Sequence, residues 1–502
     1  MRPLAIATAV LSFASAAVCV EKGNLTKPLT SKLILPSTFR PAQNFKNANL
    51  VHIINLEKSY PKESINVVIE NVASTPQDEY FIPFTSQQMA TIGGLEVKDR
   101  KNPESPLFEV EAFIIYLPLT GTNRCYSDTQ FYRIHLPEPL APKAQQTLGI
   151  SFYYLSALNP LPATIAQADK QYLVYTLSAY CQSAYDTLKQ KTEVKFPSTT
   201  VPEYTIVPGT KGSPESPQKQ GSKFTYGSYG EVPAGAVEPV KVRYEFTKPL
   251  IHVSELERDI EVSHWGGNIA FEERYIMTNR AANLSKQFSR VEWASQTYYN
   301  PPSTAVKELR FPLRVGSLEP YFTDVIGNVS TSRFRSNRRE ANLEIKPRYP
   351  VFGGWNYPFR VGWNADLKKY LRKLSGGEGY VLNVPFLEGP KQPEGIEYEH
   401  IELRVILPEG AENVQYSTTV PLVSASTSLH RTFMDTTGRT ALTLTAINIV
   451  DDLRDRELIV TYDYPLLAGF RKPLVIFVTI LSLFAAAWGI GSLDVTIKNK
   501  RS

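Results

Sequence analysis

Between the basic pair Arg471-Lys472 and Asp494, the chain runs from Pro473 to Leu493, 21 residues, without a charged side chain. At ~1.5 Å per residue, a helix of that length reaches ~31 Å, enough to cross a bilayer's hydrocarbon core. One transmembrane helix is therefore expected over 473–493, and it places everything before it on one side of a membrane. Lys498, Lys500 and Arg501 follow the span as Arg471 and Lys472 precede it, so the positive-inside bias leaves orientation open. The N-terminus decides it. Arg2, the apolar stretch Leu4 to Phe13 and the small residues Ala14-Ser15-Ala16-Ala17 have the layout of a signal peptide over 1–17, cleaved after Ala16, Ala17 or Cys19. The competing reading is a short buried N-terminal helix, which gives the small-residue end no role. A chain whose N-terminus has entered the lumen stops at its next span, which predicts a single-pass type I membrane protein with residues 494–502 in the cytosol.

With 502 residues, 42% hydrophobic and 21% charged, the chain has the composition of several globular units, neither disordered nor multi-span. The net charge of +5 is too diffuse for a nucleic-acid footprint, and no nucleic-acid partner is expected. Its 27 Tyr, 24 Phe and 37 Pro favour strands and turns. Period-two or short apolar runs recur at Leu50 to Leu56, Ile65 to Val72, Glu109 to Leu117, Thr147 to Leu155 and Tyr172 to Leu177. They resume at Val240 to Phe246, Asp259 to His264, Ile269 to Met277, Leu343 to Arg348, Tyr380 to Val384, Ile396 to Leu407, Ala441 to Val450 and Glu457 to Tyr464. The fold class expected is mainly β: two tandem β-sandwich-like lumenal domains, 18–200 and 240–472, joined by a Pro/Gly/Ser-rich linker or loop over 201–239 and followed by the membrane helix. Ala179 to Lys191, rich in Ala and free of Gly and Pro, is the best helix candidate before the span. Leu50 to Ser74 and Leu250 to Ala281 share a strand, charged turn and longer strand, and Val194 to Pro197 and Val405 to Pro408 each close a strand on a proline. This hints at related halves, although tandem sandwiches produce such patterns unaided.

In an oxidising lumen, Cys125 and Cys181 are candidate disulfide partners, with two buried thiols as the alternative. Three Asn-x-Ser/Thr acceptors, Asn24, Asn283 and Asn328, fall before the span, and the turn-forming Gly327 favours Asn328. Lys498 and Lys500, third and fifth from the end, match a dilysine endoplasmic-reticulum retrieval signal; a plain stop-transfer flank is the alternative. Within the span, Ala485 with Gly489 and Ala487 with Gly491 are spaced four apart and offer small faces for helix packing.

No catalytic constellation can be assembled. None of the six histidines begins an H-E-x-x-H motif, and neither a G-x-S-x-G elbow nor a P-loop is present. His400-Ile401-Glu402 has deaminase spacing without the paired cysteines. Ser375-Gly376-Gly377-Glu378-Gly379 reads as a hairpin loop. Asp451, Asp452 and Asp455 read as a solvated turn rather than a metal cluster, and Arg333, Arg335, Arg338 and Arg339 as the polar side of a strand. A single uncharged span also gives polyprenyl-linked sugar chemistry no sheltered site. No catalytic residue, metal or cofactor is expected.

Four longer strings then identify a family. Ile260 to Tyr275 (IEVSHWGGNIAFEERY), Tyr321 to Ser332 (YFTDVIGNVSTS), Ile345 to Trp355 (IKPRYPVFGGW) and Val405 to Val414 (VILPEGAENV) closely resemble the ribophorin I family, first subunits of the oligosaccharyltransferase complex, over residues 240–465 and more loosely over 25–200. The resemblance implies a non-catalytic structural subunit of the enzyme that transfers a preassembled oligosaccharide from dolichyl pyrophosphate to Asn in Asn-x-Ser/Thr. It implies as partners the other subunits, including the multi-span catalytic subunit and a small membrane subunit, together with nascent polypeptides and the endoplasmic reticulum membrane. It also matches Asn328 to a family acceptor position. Animal members continue after the span in a long charged cytosolic segment; this chain ends at Ser502, the short-tailed form expected of fungi. A single-pass adhesion receptor or a lumenal hydrolase are the alternatives. A physical reading of Pro350-Val351-Phe352-Gly353-Gly354-Trp355 stands beside the resemblance: two glycines turn the backbone and tuck Trp355 against Phe352 and Tyr349 as core packing rather than as a ligand platform.

Overall fold

A computed structural model of the chain describes residues 32–33, 41–102, 104–113, 129–208, 217–299, 301–375, 377, 379–432 and 435–492. Alternation decides the architecture strand by strand. In Lys62–Asn71 and in Asn268–Asn279 every second residue is buried, so one face of each sheet needs cover and the other faces water. In the first half a seven-stranded sheet runs in the order Gln218–Gln220, Lys223–Tyr229, Gln190–Lys195, Phe45–Asn55, Lys62–Asn71, Gln145–Tyr154, Ile92–Asp99. A three-stranded sheet (Gln77–Thr85, Thr129–Leu140, Glu109–Phe113) packs against it around Val67, Ile82 and Phe131. A four-stranded sheet containing Tyr172–Ser178 and Pro239–Glu245 packs beside it around Ile54, Phe196 and Tyr244.

The second half repeats this plan. Its eight-stranded sheet runs Gly327–Asn328, Ser317–Asp324, Asn356–Asp366, Asn268–Asn279, Ile251–Ser263, Ile396–Glu409, Arg439–Val450, Ser424–His430. One continuous core joins it to a three-stranded sheet (Leu309–Leu313, Ala341–Ile345, Arg333–Ser336) and a four-stranded one (Leu371–Lys373, Gly379–Pro385, Glu457–Asp463, Glu412–Thr418). The centres of the two large sheets correspond. In each, an antiparallel hairpin (Phe45–Asn55 with Lys62–Asn71; Ile251–Ser263 with Asn268–Asn279) has a parallel strand from far along the chain beside its first strand (Gln190–Lys195; Ile396–Glu409). Each has an antiparallel strand beside its second (Gln145–Tyr154; Asn356–Asp366), and an antiparallel strand outside the parallel one (Lys223–Tyr229; Arg439–Val450). The proline-closed strands at Val194 and Val405 are those parallel partners.

Two local expectations are corrected. Ala179 to Lys191 is not helical. The Ser183 hydroxyl donates to the Tyr185 carbonyl and accepts from its amide, Gln190 Oε1 accepts from the Cys181 amide, and Thr192 Oγ1 donates to the Ala179 carbonyl. These bonds, with the Asn47 amide donating to the Asp186 carbonyl, displace the helical ladder and stitch the segment to the sheet. The stretch 201–239, expected as a linker or loop, contributes Glu203–Tyr204, Gln218–Gln220, Lys223–Tyr229 and Ala236–Val237 to sheets of the first half; Phe224 and Tyr226 are buried there, so it carries core residues despite its Pro and Gly.

Arg471–Ser492 is a 22-residue helix, apolar and long enough to cross a membrane, with none of its residues buried against the rest. It begins two residues before the expected span, and Leu493 lies outside the described residues. The strands of the eight-stranded sheet give it direction. One end of the sheet carries Ile251, Asn279, Ile396 and Val450, and the other carries Ser263, Asn268, Asp366, Glu409 and Arg439. The first end meets the first half of the chain, and the second meets the helix root, as the contacts below show.

Candidate functional site

Asp451, Asp452 and His264 each join parts of the fold. Asp451 and Asp452 follow the strand Arg439–Val450 as a single 3-10 turn and reach across to the first half. The Tyr60 hydroxyl donates to Asp451 Oδ1 at 2.6 Å, Lys58 Nζ lies 2.6 Å from Asp452 Oδ1, and Lys62 Nζ lies 2.9 Å from its Oδ2. Burial opposes ionisation of Asp452, but the hydrogen bonds and charges of Lys58 and Lys62 outweigh it and pull its carboxyl down to about 2. Close backbone approach completes the junction. A Cβ on Gly93 would stand 1.7 Å from the Asn448 carbonyl oxygen, and the Asn448 side chain donates to the Ala90 and Ile92 carbonyls at 3.0 Å. Arg456 bridges to Glu96 at 2.7 Å, and Glu397 accepts from the Ser156 amide at 3.0 Å. The sequence reading missed Lys58, Tyr60 and Lys62, because a hairpin tip gives no sign of what lies beyond it.

At the other end of the large sheet a second polar cluster holds the helix. Asp435, its side chain fully buried, accepts from Lys472 at 2.9 Å and from Arg439 at 3.3 Å, while Arg439 also pairs with Glu261. Burial would push the Asp435 carboxyl up; Lys472, Thr432 and Arg439 hold it well below the usual carboxylate range. Four donors from Thr436 and Thr437 converge on Glu409 Oε1 and, against burial, bring that carboxyl to about 2. Arg471 donates to Thr437 Oγ1 at 3.2 Å.

His264 sits at this end too, in an aromatic box. Its Nε2 is 2.7 Å from the Tyr462 hydroxyl, its ring lies 4.7 Å from Tyr380 and 4.5 Å from Tyr464, and burial lowers its pKa to about 4. Surrounded by phenols and kept neutral, it anchors a hairpin. His400 is half-buried on the central strand Ile396–Glu409, and among the described residues no His/Cys/Asp/Glu group could hold a metal ion.

The glycan candidates differ in setting. Asn328 is exposed after a turn in which Asp324 Oδ1 accepts from the amides of Ile326 and Gly327. Asn283 is also exposed, with its side chain lying over Gly354. Asn24, Cys125, Lys498 and Lys500 lie outside the described residues; Cys181 is buried, its Sγ 3.8 Å from the Gln182 carbonyl oxygen. Ala485, Ala487, Gly489 and Gly491 lie on the membrane helix, and added Cβ atoms on the two glycines would meet nothing within 4 Å. Arg333 and Arg335 project from a strand whose Phe334 packs on the core, as the alternation predicts. Trp355 packs at 5.8 Å from Phe352 and 5.7 Å from Tyr349, and with Phe288, Trp293, Arg290 and Arg348 it lines an open cleft of about 800 Å³.

The ribophorin I family profile matches residues 45–491. The chain is 29% identical over 89% of its length to a "Dolichyl-diphosphooligosaccharide--protein glycosyltransferase subunit 1" of Schizosaccharomyces pombe, covering 94% of that protein. It is 30% identical over 91% of its length to the protein of the same name from Caenorhabditis elegans, covering 73% of it, and 30% identical over 93% to subunit 1B of Arabidopsis thaliana, covering 97%. Among solved structures, an M1 zinc metallopeptidase of Deinococcus radiodurans is similar over 42% of each chain at 11% identity and a TM-score of 0.26, too weak a likeness to carry an argument.

Proposed function

Because the chain belongs to the ribophorin I family, we propose that it works as a structural, non-catalytic subunit of the oligosaccharyltransferase complex, held in the endoplasmic reticulum membrane by its C-terminal helix. On this reading the two β-rich halves are lumenal, the chain is a single-pass type I protein, and its neighbours are the multi-span catalytic subunit and a small membrane subunit. Nascent polypeptides pass along its lumenal surface. The observation that supports this most directly is the use made of its ionisable side chains. Asp451 and Asp452 tie the two halves together, Asp435 and Glu409 tie the second half to the membrane helix, and His264 is boxed by tyrosines. Groups spent on rigidity suit a wall that positions partners.

Substituting His264, His400, Asp451 and Asp452 one at a time with Ala, and measuring acceptor-peptide glycosylation by the assembled complex, tests the reading. Changes within a few-fold, or losses that track complex abundance, are expected. A loss of about a thousandfold with assembly intact, the scale on which a catalytic group fails, would overturn it. Affinity purification in mild detergent should bring down a multi-span glycosyltransferase; an adhesion receptor would not.

A further inference from the structure

The correspondence between the halves raises a question about hairpin tips. In the first half, the tip between Phe45–Asn55 and Lys62–Asn71 carries Lys58 and Tyr60 and docks on the next body along the chain, through Asp451, Asp452 and the Glu394 carbonyl. The corresponding tip in the second half, His264-Trp265-Gly266-Gly267, lies at the opposite end of its sheet, where the next body is the membrane helix. His264 fastens the tip to Tyr462 and Tyr464, just ahead of that helix, and Glu261 on the same hairpin connects through Arg439 and Asp435 to Lys472 in its first turn.

Trp265, next to this anchored histidine, is 70% exposed. Beside it, the Gly267 carbonyl accepts from the Leu367 amide at 3.1 Å, which brings the exposed Lys368 to the tip, while Lys369 Nζ donates to the Val315 carbonyl at 2.6 Å. The hairpin that follows adds exposed Arg372 and Lys373, and Leu374, 51% exposed, at its own tip. Lys373 leans on Tyr380, which packs edge-on against His264. The exposed acid within 366–374 is Asp366, whose carboxylate caps the Lys368 amide. An exposed indole and leucine on adjoining tips that also carry cations, near the root of a membrane-crossing helix, have the composition of an interfacial contact.

We propose that the tips 264–267 and 368–374 rest on the same bilayer that the helix crosses, with Trp265 at headgroup depth and Lys368, Arg372 and Lys373 against lipid phosphates. The occupant is the membrane surface because the patch is continuous with the helix root and carries the charge that anionic headgroups complement. A protein partner would be expected to bury the indole in a pocket and to pair the cations with carboxylates.

The test uses the full chain reconstituted in phosphatidylcholine vesicles, with or without phosphatidylserine, and quenching of tryptophan fluorescence by lipids brominated near the headgroup. Trp488 lies in the membrane helix, so its own quenching reports the span and a Trp488→Phe variant removes that signal. The Trp488→Phe chain should keep clear quenching, which a further Trp265→Phe change should abolish while leaving the emission of the three remaining tryptophans, Trp293, Trp355 and Trp363, intact. Lys368→Glu with Lys373→Glu should cut it by about half in vesicles containing phosphatidylserine. An unquenched Trp488→Phe chain, or quenching that survives Trp265→Phe, would overturn the proposal. So would quenching in the isolated chain that disappears in the assembled complex, which would give the patch to a protein partner. If Trp488 itself escaped bromines placed deep in the acyl region, the span and this proposal would fall together, whereas a quenched Trp488 with an unquenched Trp265 would fail the proposal alone.

Discussion

Arg258 lies wholly buried in the core of the second half, paired with Glu273 and, at 3.0 Å, with Glu388, beside the stacked rings of Phe271 and Trp363. Burial pulls its pKa down, but the two glutamates more than offset that and hold it above the usual arginine value. Removing one member of such a set leaves the other charges buried without compensation, so Arg258→Met should cost about 3–5 kcal/mol, read as a fall in the urea midpoint of the full chain. Arg404→Ala, which breaks a partly exposed pair with Asp259, should cost under about 1 kcal/mol in the same assay. A second residue-scale expectation concerns acid. The carboxyl of Asp452 titrates at about 2 in the folded chain and near 3.9 in an unfolded one, so its contribution is complete above about pH 4 and fades as pH falls toward 2. The urea midpoints of the chain and of Asp452→Asn should differ by a constant amount from pH 7 to 5 and converge below pH 4. A difference that persists unchanged at pH 2 would show that the Lys58 and Lys62 contacts do not set this titration.

At the scale of elements, the sequence spoke clearly where alternation was clean. Every expected strand segment overlaps an observed strand, including Ile269 to Met277, inside Asn268–Asn279, and Ile396 to Leu407, inside Ile396–Glu409. Several of the strands that stayed hidden carry proline or lack an apolar face. Thr129–Leu140 contains Pro137 and Pro139, Asn356–Asp366 contains Pro358, and Ser424–His430 is an almost entirely exposed edge strand whose partner on one side supplies its hydrogen bonds. The false helix at Ala179 to Lys191 failed for the opposite reason: good propensity was overruled by side chains bonding to backbone across the sheet. Two element-scale expectations follow. Asn328 stands exposed beside an Asx-type turn, so Asn328→Gln should remove one endoglycosidase-sensitive mobility step. In the membrane helix, a Cβ added to Gly489 or Gly491 would meet nothing within 4 Å, so replacing both with Leu starts the new side chains in open space. Under the proposed function it should weaken detergent-stable assembly with the other subunits, and unchanged co-purification would remove the helix from the list of packing surfaces.

For the whole molecule, the candidate sites were legible as residues but not as roles. Asp451 and Asp452 stood out as a cluster of like charge, yet their partners Lys58 and Lys62 lie almost four hundred positions earlier, and no local pattern links them. The same holds for Asp435 and Lys472, which look like a loop acid and a membrane-flanking base until the fold brings them to 2.9 Å. The purified chain is expected to transfer no glycan unaided, and its loss should lower both complex abundance and the occupancy of some acceptor sites, as glycopeptide mapping would report. The Asp435 clamp has a mechanical consequence. A helix fastened at its root cannot change its tilt without turning the β-rich body with it, and the 13-residue strand Ile251–Ser263 makes that body a lever arm of ~43 Å. Because a span longer than the local hydrocarbon thickness tilts to fit it, a change of about 10° at the membrane would swing the far end of the sheet by ~7 Å, so thinning of the local lipid becomes a coordinate along which the upper half of the molecule is steered.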